Sequence, residues 1–158
     1  MKNNKGFSLV ELIIVIAIMA VLVGVLAPTY LQYVEKSKKS NDVSTVDSIV
    51  NAIEIAAIDP EVHATNWTSL TVTLTTSGVD ISSTDSDTKM VDTVKEITGS
   101  DGDVKLKSTK WATGTGVTNQ VVFTATNDGG KVKFTYGTDT GSQAFADYAT
   151  SITKVSKS

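Results

Sequence analysis

Residues 1–28 read MKNNKGFSLVELIIVIAIMAVLVGVLAP, and this stretch decides how the rest of the 158-residue chain is read. A leader carrying Lys2 and Lys5 ends at Gly6, and the 21 residues of 7–27 then contain one charge, Glu11. At 1.5 Å per residue such a helix spans about 31 Å, close to the ~30 Å hydrocarbon core of a bilayer. A carboxylate at the centre of a membrane helix costs roughly 2.5–3.5 kcal/mol. Glu11 therefore reads as a functional residue rather than as decoration.

Two plainer readings compete. A conventional secretory signal has an apolar region of about 7–15 residues followed by a small-x-small cleavage site. Here the run is longer, and Ala27 at its end precedes Pro28. An ordinary single-span anchor would leave Glu11 incidental. Charge counting does not orient it, because Lys2 and Lys5 precede the span while Lys36, Lys38 and Lys39 follow it. A cut between Gly6 and Phe7 would explain more. It would create an amine four residues before Glu11, on the same helix face. Between staggered chains the amine and the carboxylate could pair in a low-dielectric setting, where Coulomb attraction is strong. Removing one partner would leave the other uncompensated.

The run Lys5-Gly6-Phe7-Ser8-Leu9-Val10-Glu11 and the apolar segment after it resemble the class III signal of type IV pilins and pseudopilins. The resemblance is tight over residues 5–28 and fades by about residue 58. It implies a prepilin peptidase that cuts after Gly6 on the cytoplasmic side and methylates the amine of Phe7. It also implies that Glu11 pairs with the N-terminal amine of a neighbouring subunit, in a helical homopolymer built by pilus or secretion machinery. The implied location is the cytoplasmic membrane for the single-pass precursor and then an extracellular filament. Gly24 and Pro28 match positions where the pilin helix kinks or unwinds. Their chemistry agrees, because Pro28 lacks an N–H and Gly24 weakens helix. A pseudopilin of a type II secretion or competence system, or a minor adhesive pilin, would use the same N-terminal chemistry. The cysteine-free head departs from pilins whose C-terminal loop is closed by a disulfide, and suggests a Gram-positive, low-GC source.

Beyond the membrane half, residues 29–58 continue as an amphipathic helix. Val43, Val46, Ile49 or Val50, Ile53, and Ala56 or Ala57 recur at spacings of three and four. Asp59-Pro60 stops it. The expected organisation is a cleaved leader at 1–6, a membrane and filament-core helix at 7–28, its continuation at 29–58, and a β-rich head at 59–158. In the head, Leu70, Val72 and Leu74 alternate with Thr71, Thr73 and Thr75 as a half-buried strand. Val104 and Leu106, extended by Trp111, suggest a second. Residues 121–126 and 131–136 flank Asn127-Asp128-Gly129-Gly130, a hairpin signal. Met90 or Val91, Val94 and Ile97 fit a short helix capped by Gly99. Phe145, Tyr148 or Ala149, and Ile152 fit one more helical turn or a packing tail. The sum is an α+β layer, a long helix against an antiparallel sheet of about four strands.

Composition excludes much else. The formal net charge is −3, which leaves no basic footprint for nucleic acid, and the chain has no Cys, no Arg and one His. Thiol nucleophiles and Cys-ligated metals are therefore excluded. No nucleophile elbow, phosphate loop or catalytic acid pair is present, so neither an enzyme nor a cofactor is expected. Asp101-Gly102-Asp103, with Asp85 and Asp87, offers oxygen ligands but fails the calcium-loop spacing, and reads as a solvated turn. His63 reads as a loop residue. Asn66-Trp67-Thr68 fits a glycosylation triplet that recurs by chance. Trp67 and Trp111 read as packing residues. Lys36, Lys38 and Lys39 read as a solvated face, with anionic headgroups or an acidic patch on the next subunit as the alternative.

Overall fold

This computed structural model describes residues 7–64, 66–85, 88–99 and 104–153. Helix α1 runs over Leu9–Ala57, with Gly24 and Pro28 inside it. The chain divides into two compact units, residues 1–37 and 38–158. In the first, every residue from 7 to 33 is exposed, so the apolar run is bare helix.

In the second unit, α1 buries Val43, Val46, Ile49, Ala52, Ile53 and Ala56, the stripe that the three-four spacing anticipates. Asp42 is buried with them. Asp59 does more than end the helix. Its Oδ1 accepts the Glu61 N–H at 2.8 Å, and with Pro60 in the first turn it caps a second helix, α2 (Pro60–His63).

Four antiparallel strands follow: β1 (Ser69–Thr75), β2 (Val79–Ser83), β3 (Gln120–Asp128) and β4 (Lys131–Tyr136), in the order β2-β1-β3-β4. Leu70, Val72 and Leu74 of β1 lie beside Ala125, Phe123 and Val121 of β3. All six are buried, while the intervening threonines stay partly exposed. The β3–β4 turn has φ of 61° at Gly129 and 89° at Gly130. Positive φ at both central residues suits the twist of a hairpin and favours glycine there.

Between β2 and β3, α3 (Lys89–Thr98) buries Met90, Val91 and Val94 and ends at Gly99 in the left-handed conformation, as expected. The tail is a full helix, α4 (Thr140–Thr153), rather than a single turn. Asp139 Oδ1 accepts the Ser142 N–H at its start, and Ser142 Oγ in turn accepts the Val122 N–H. Gly141 is required where α4 meets β3, because a Cβ there would lie 2.1 Å from the Gln120 carbonyl oxygen.

The strand count agrees with the sequence reading, but one strand is a different segment. Residues 104–119 form no strand; they cross the core as an irregular strap. Leu106 N–H bonds to the Thr75 carbonyl, but the next N–H groups turn to a side chain on α1. The fourth strand is instead β2, five residues of which Ile81 alone is buried, too polar to announce itself by alternation.

Candidate functional site

The N-terminal site is built on the first turn of α1. Ser8 Oγ accepts the Val10 N–H at 3.3 Å, and Glu11 Oε2 accepts the Ser8 N–H at 2.9 Å. This is one half of a capping box, with Glu11 reaching back to the Ser8 N–H, while the Ser8 hydroxyl takes the Val10 N–H rather than that of Glu11; both N–H groups are ones that a helix start leaves open. The sequence reading passed over this cap, whose signal is Ser8-x-x-Glu11, and it gives Glu11 a structural role. It uses one carboxylate oxygen, and Oε1 has no partner among the described residues. Phe7 precedes the helix and is 92% exposed. Gly6 lies outside the described residues. By length and composition, α1 is apolar enough to cross a membrane, and its most apolar window has no buried residue.

The second polar centre lies inside the head and sequence reasoning missed it. Asp42 is fully buried, yet its carboxylate accepts the Lys107 N–H (2.7 Å), the Ser108 N–H (3.0 Å) and the Trp111 indole Nε1–H (2.7 Å). Asn119 closes the far side of the strap. Its Oδ1 accepts the N–H groups of Trp111 and Ala112, and its Nδ2 donates to the Ser108 carbonyl. Buried charge is tolerated only when its hydrogen-bonding capacity is met, and here strap donors meet it. The only sequence hint was an Asp next to Val43 on the apolar stripe.

Lys39 joins this centre. Its Nζ lies 4.6 Å from the Trp111 ring centroid and 5.9 Å from that of Tyr148, and Trp111 packs against Phe145. The solvated-face expectation therefore fails for Lys39, whose ammonium rests on aromatic rings that attract cations. Trp67 and Trp111 are both buried, as packing residues should be.

The remaining candidates are committed to the fold or carry nothing. Asp85 accepts from the N–H and hydroxyl of Thr68, the Ser69 N–H and the Ser83 hydroxyl. The Thr68 bonds foremost hold its carboxyl below the usual carboxylate range. Asp87, Asp101, Gly102 and Asp103 lie outside the described residues. Among those described, no group of three or more His, Cys, Asp or Glu could hold a metal ion. His63 is exposed at the end of α2 rather than in a loop. In the glycosylation triplet Trp67 is buried and the Thr68 hydroxyl is donated to Asp85, so two of its three residues serve the fold.

A long N-terminal helix against a four-stranded antiparallel sheet, with a capped apolar N-terminus, defines a pilin-like protein of the α+β class. Residues 1–27 match the family model described as the prokaryotic N-terminal methylation motif. The chain is 37% identical to a fimbrial protein of Pseudomonas aeruginosa over 59 residues, covering 37% of this chain and 38% of that one. It is 34% identical to fimbrial protein Q of Moraxella bovis over 82 residues, covering 49% and 52% respectively. It is 38% identical over 73 residues to the type IV wide pilus major component PilA4 of Thermus thermophilus, covering 44% and 53%. Together these matches support a type IV pilin. The chain spans between 38% and 53% of the length of these relatives. No solved structure gives a significant match. Each relative is named as a fimbrial or pilus component, in agreement with a non-enzymatic role. The expected Gram-positive source gains no support from them.

Proposed function

We propose that this chain is the structural subunit of a type IV pilus, made as a single-pass membrane precursor and polymerised through α1 into a surface filament. The observation that carries the reading is Glu11, the one charge in the fully exposed apolar run, on a segment that matches the methylation motif. A prepilin peptidase cuts after Gly6 and methylates the Phe7 amine, freeing a cation one turn from Glu11. The cap engages Oε2, so Oε1 is open to the amine of a neighbouring subunit. Assembly moves apolar helix from lipid into a helix bundle. Lipid is as apolar as the helices, so packing and charge pairing drive that transfer. The residue-specific pair sets axial register, and Gly24 and Pro28 are the points where α1 can bend or unwind as it packs. The leader (1–6), core helix (7–28), its continuation (29–58) and the head (59–158) are the working parts. The head forms the outer surface. The names of the relatives favour a pilus over a type II secretion or competence pseudopilin.

Mass spectrometry of filaments sheared from the producing cells tests this directly. The dominant subunit should be this chain beginning at N-methylated Phe7. A mature chain that still begins at Met1 would overturn the proposal.

A further inference from the structure

We propose that Phe7, Tyr30 and Tyr33 form an aromatic girdle for the headgroup layers of a bilayer, and that the two tyrosines set how deeply the unassembled subunit sits. The inference rests on the membrane-precursor reading and goes beyond it, from spanning to depth.

The starting observation is how the aromatic residues are used. Trp67, Trp111, Phe123 and Phe145 are buried, and Phe134, Tyr136 and Tyr148 pack against the same core. Three aromatics remain: Phe7, Tyr30 and Tyr33, exposed by 92%, 68% and 74%. They are not scattered. One stands just before α1, and two stand where its apolar run ends. Tyr30 and Tyr33 are three apart and so share a helix face. Gln32 lies between them and Glu35 and Lys36 follow, so polarity rises steeply at this point.

The spacing fits a bilayer. From Leu9, where α1 begins, to Tyr30 the helix rises about 32 Å, against a hydrocarbon core of ~30 Å. A tyrosine pairs an apolar ring with a polar hydroxyl, which suits the boundary between acyl chains and headgroups. A protein partner for this face would be expected to use the isoleucines, leucines and valines as well. The aromatics are absent from residues 8–29 and present at both ends, the distribution that the two interfaces of a bilayer favour.

A consequence follows for Glu11. With Tyr30 at one boundary, Glu11 lies about 28 Å along the helix from it, close to the opposite boundary. The girdle thus holds the carboxylate at the edge of the hydrocarbon, where its cost is far below that at the centre. It also keeps Phe7 at the surface from which its leader is removed.

The test uses the absence of cysteine from the chain. Single variants Val15→Cys, Ala27→Cys, Gln32→Cys and Ser37→Cys of the full chain are reconstituted in phosphatidylethanolamine–phosphatidylglycerol vesicles. They are then exposed to a membrane-impermeant maleimide, with rates normalised to Ser37→Cys. Thiols react as thiolates, which apolar surroundings disfavour, so Gln32→Cys should label about tenfold faster than Ala27→Cys, and Val15→Cys should not label. Added Tyr30→Ala and Tyr33→Ala should move this step by a helical turn or spread it over one, while Trp at both positions should preserve it. Val15→Cys labelling as fast as Ser37→Cys would overturn the spanning reading itself. A protected Val15→Cys with no step between 27 and 32, or with a step that ignores the alanine pair, would overturn the girdle alone.

Discussion

Replacing Asp42 by alanine should loosen the strap and destabilise the head by about 2–6 kcal/mol, because two buried N–H donors lose their acceptor at about 1–3 kcal/mol each. The Asp42 carboxylate is fully buried and accepts three N–H groups within 3.0 Å. A hydrogen bond to a charged group contributes about 1.5–3 kcal/mol, so the gross loss from three exceeds the net one. Two effects reduce it. The charge no longer has to be desolvated, and Lys107, which is exposed, can offer its N–H to water. Ser108 N–H and Trp111 Nε1–H are buried and would remain unsatisfied, at about 1–3 kcal/mol each. Against a total stability of roughly 5–15 kcal/mol this is a large fraction. The corresponding fall in Tm is of order 10 °C for a chain of this size. Asp42→Asn should fall between the two, because one amide oxygen still accepts while the NH2 opposes donors. Urea unfolding of the full chain in mild detergent, followed by tryptophan fluorescence, reads the loss, since Trp111 is itself a donor to Asp42. Limited trypsinolysis adds a local reading, because Lys105, Lys107 and Lys110 lie in the strap and should be cut faster. Stability of Asp42→Ala within about 1 kcal/mol of the parent, with an unchanged tryptic pattern, would show that the Asp42 carboxylate does not hold the strap.

Glu11→Gln keeps an acceptor for the Ser8 N–H but removes the charge, so it should insert in the membrane normally and yield few filaments; normal pilus yield would eliminate charge pairing as the basis of register. Asp85 is hydrogen-bonded by Thr68, Ser69 and Ser83, with its folded pKa below the ordinary 3.8. Its stabilising contribution is therefore present above that value and lost as pH falls through the lower, folded pKa. Asp85→Asn should accordingly lower stability at neutral pH and remove part of the acid sensitivity below about pH 3.8, measured as Tm against pH; an unchanged profile would contradict the depressed pKa.

Much of the architecture was legible because its signals are local. The stripe from Val43 to Ala56, the alternation of β1, the Gly129-Gly130 hairpin and the Gly99 cap each follow from the conformational demands of a few neighbouring residues. Val104, Leu106 and Trp111 misled for a non-local reason. Leu106 and Trp111 are buried and Val104 is half-buried against the core, as strand residues would be, but the Lys107 and Ser108 N–H groups that a ladder would need are taken by Asp42, more than sixty residues earlier. Lys39 reads as a solvated cation until Trp111 and Tyr148 are brought beneath it by the same strap and by α4.

The N-terminal segment is readable along the chain alone: its length, its single carboxylate and its methylation motif. Each depends on spacing along one helix, where neighbours in sequence are neighbours in space. Which segment completes the sheet, and that a buried aspartate holds the strap, emerge only once the chain has packed. Those outcomes depend on which donors and acceptors meet after distant segments pack, and a buried polar group must find its partners wherever the fold supplies them.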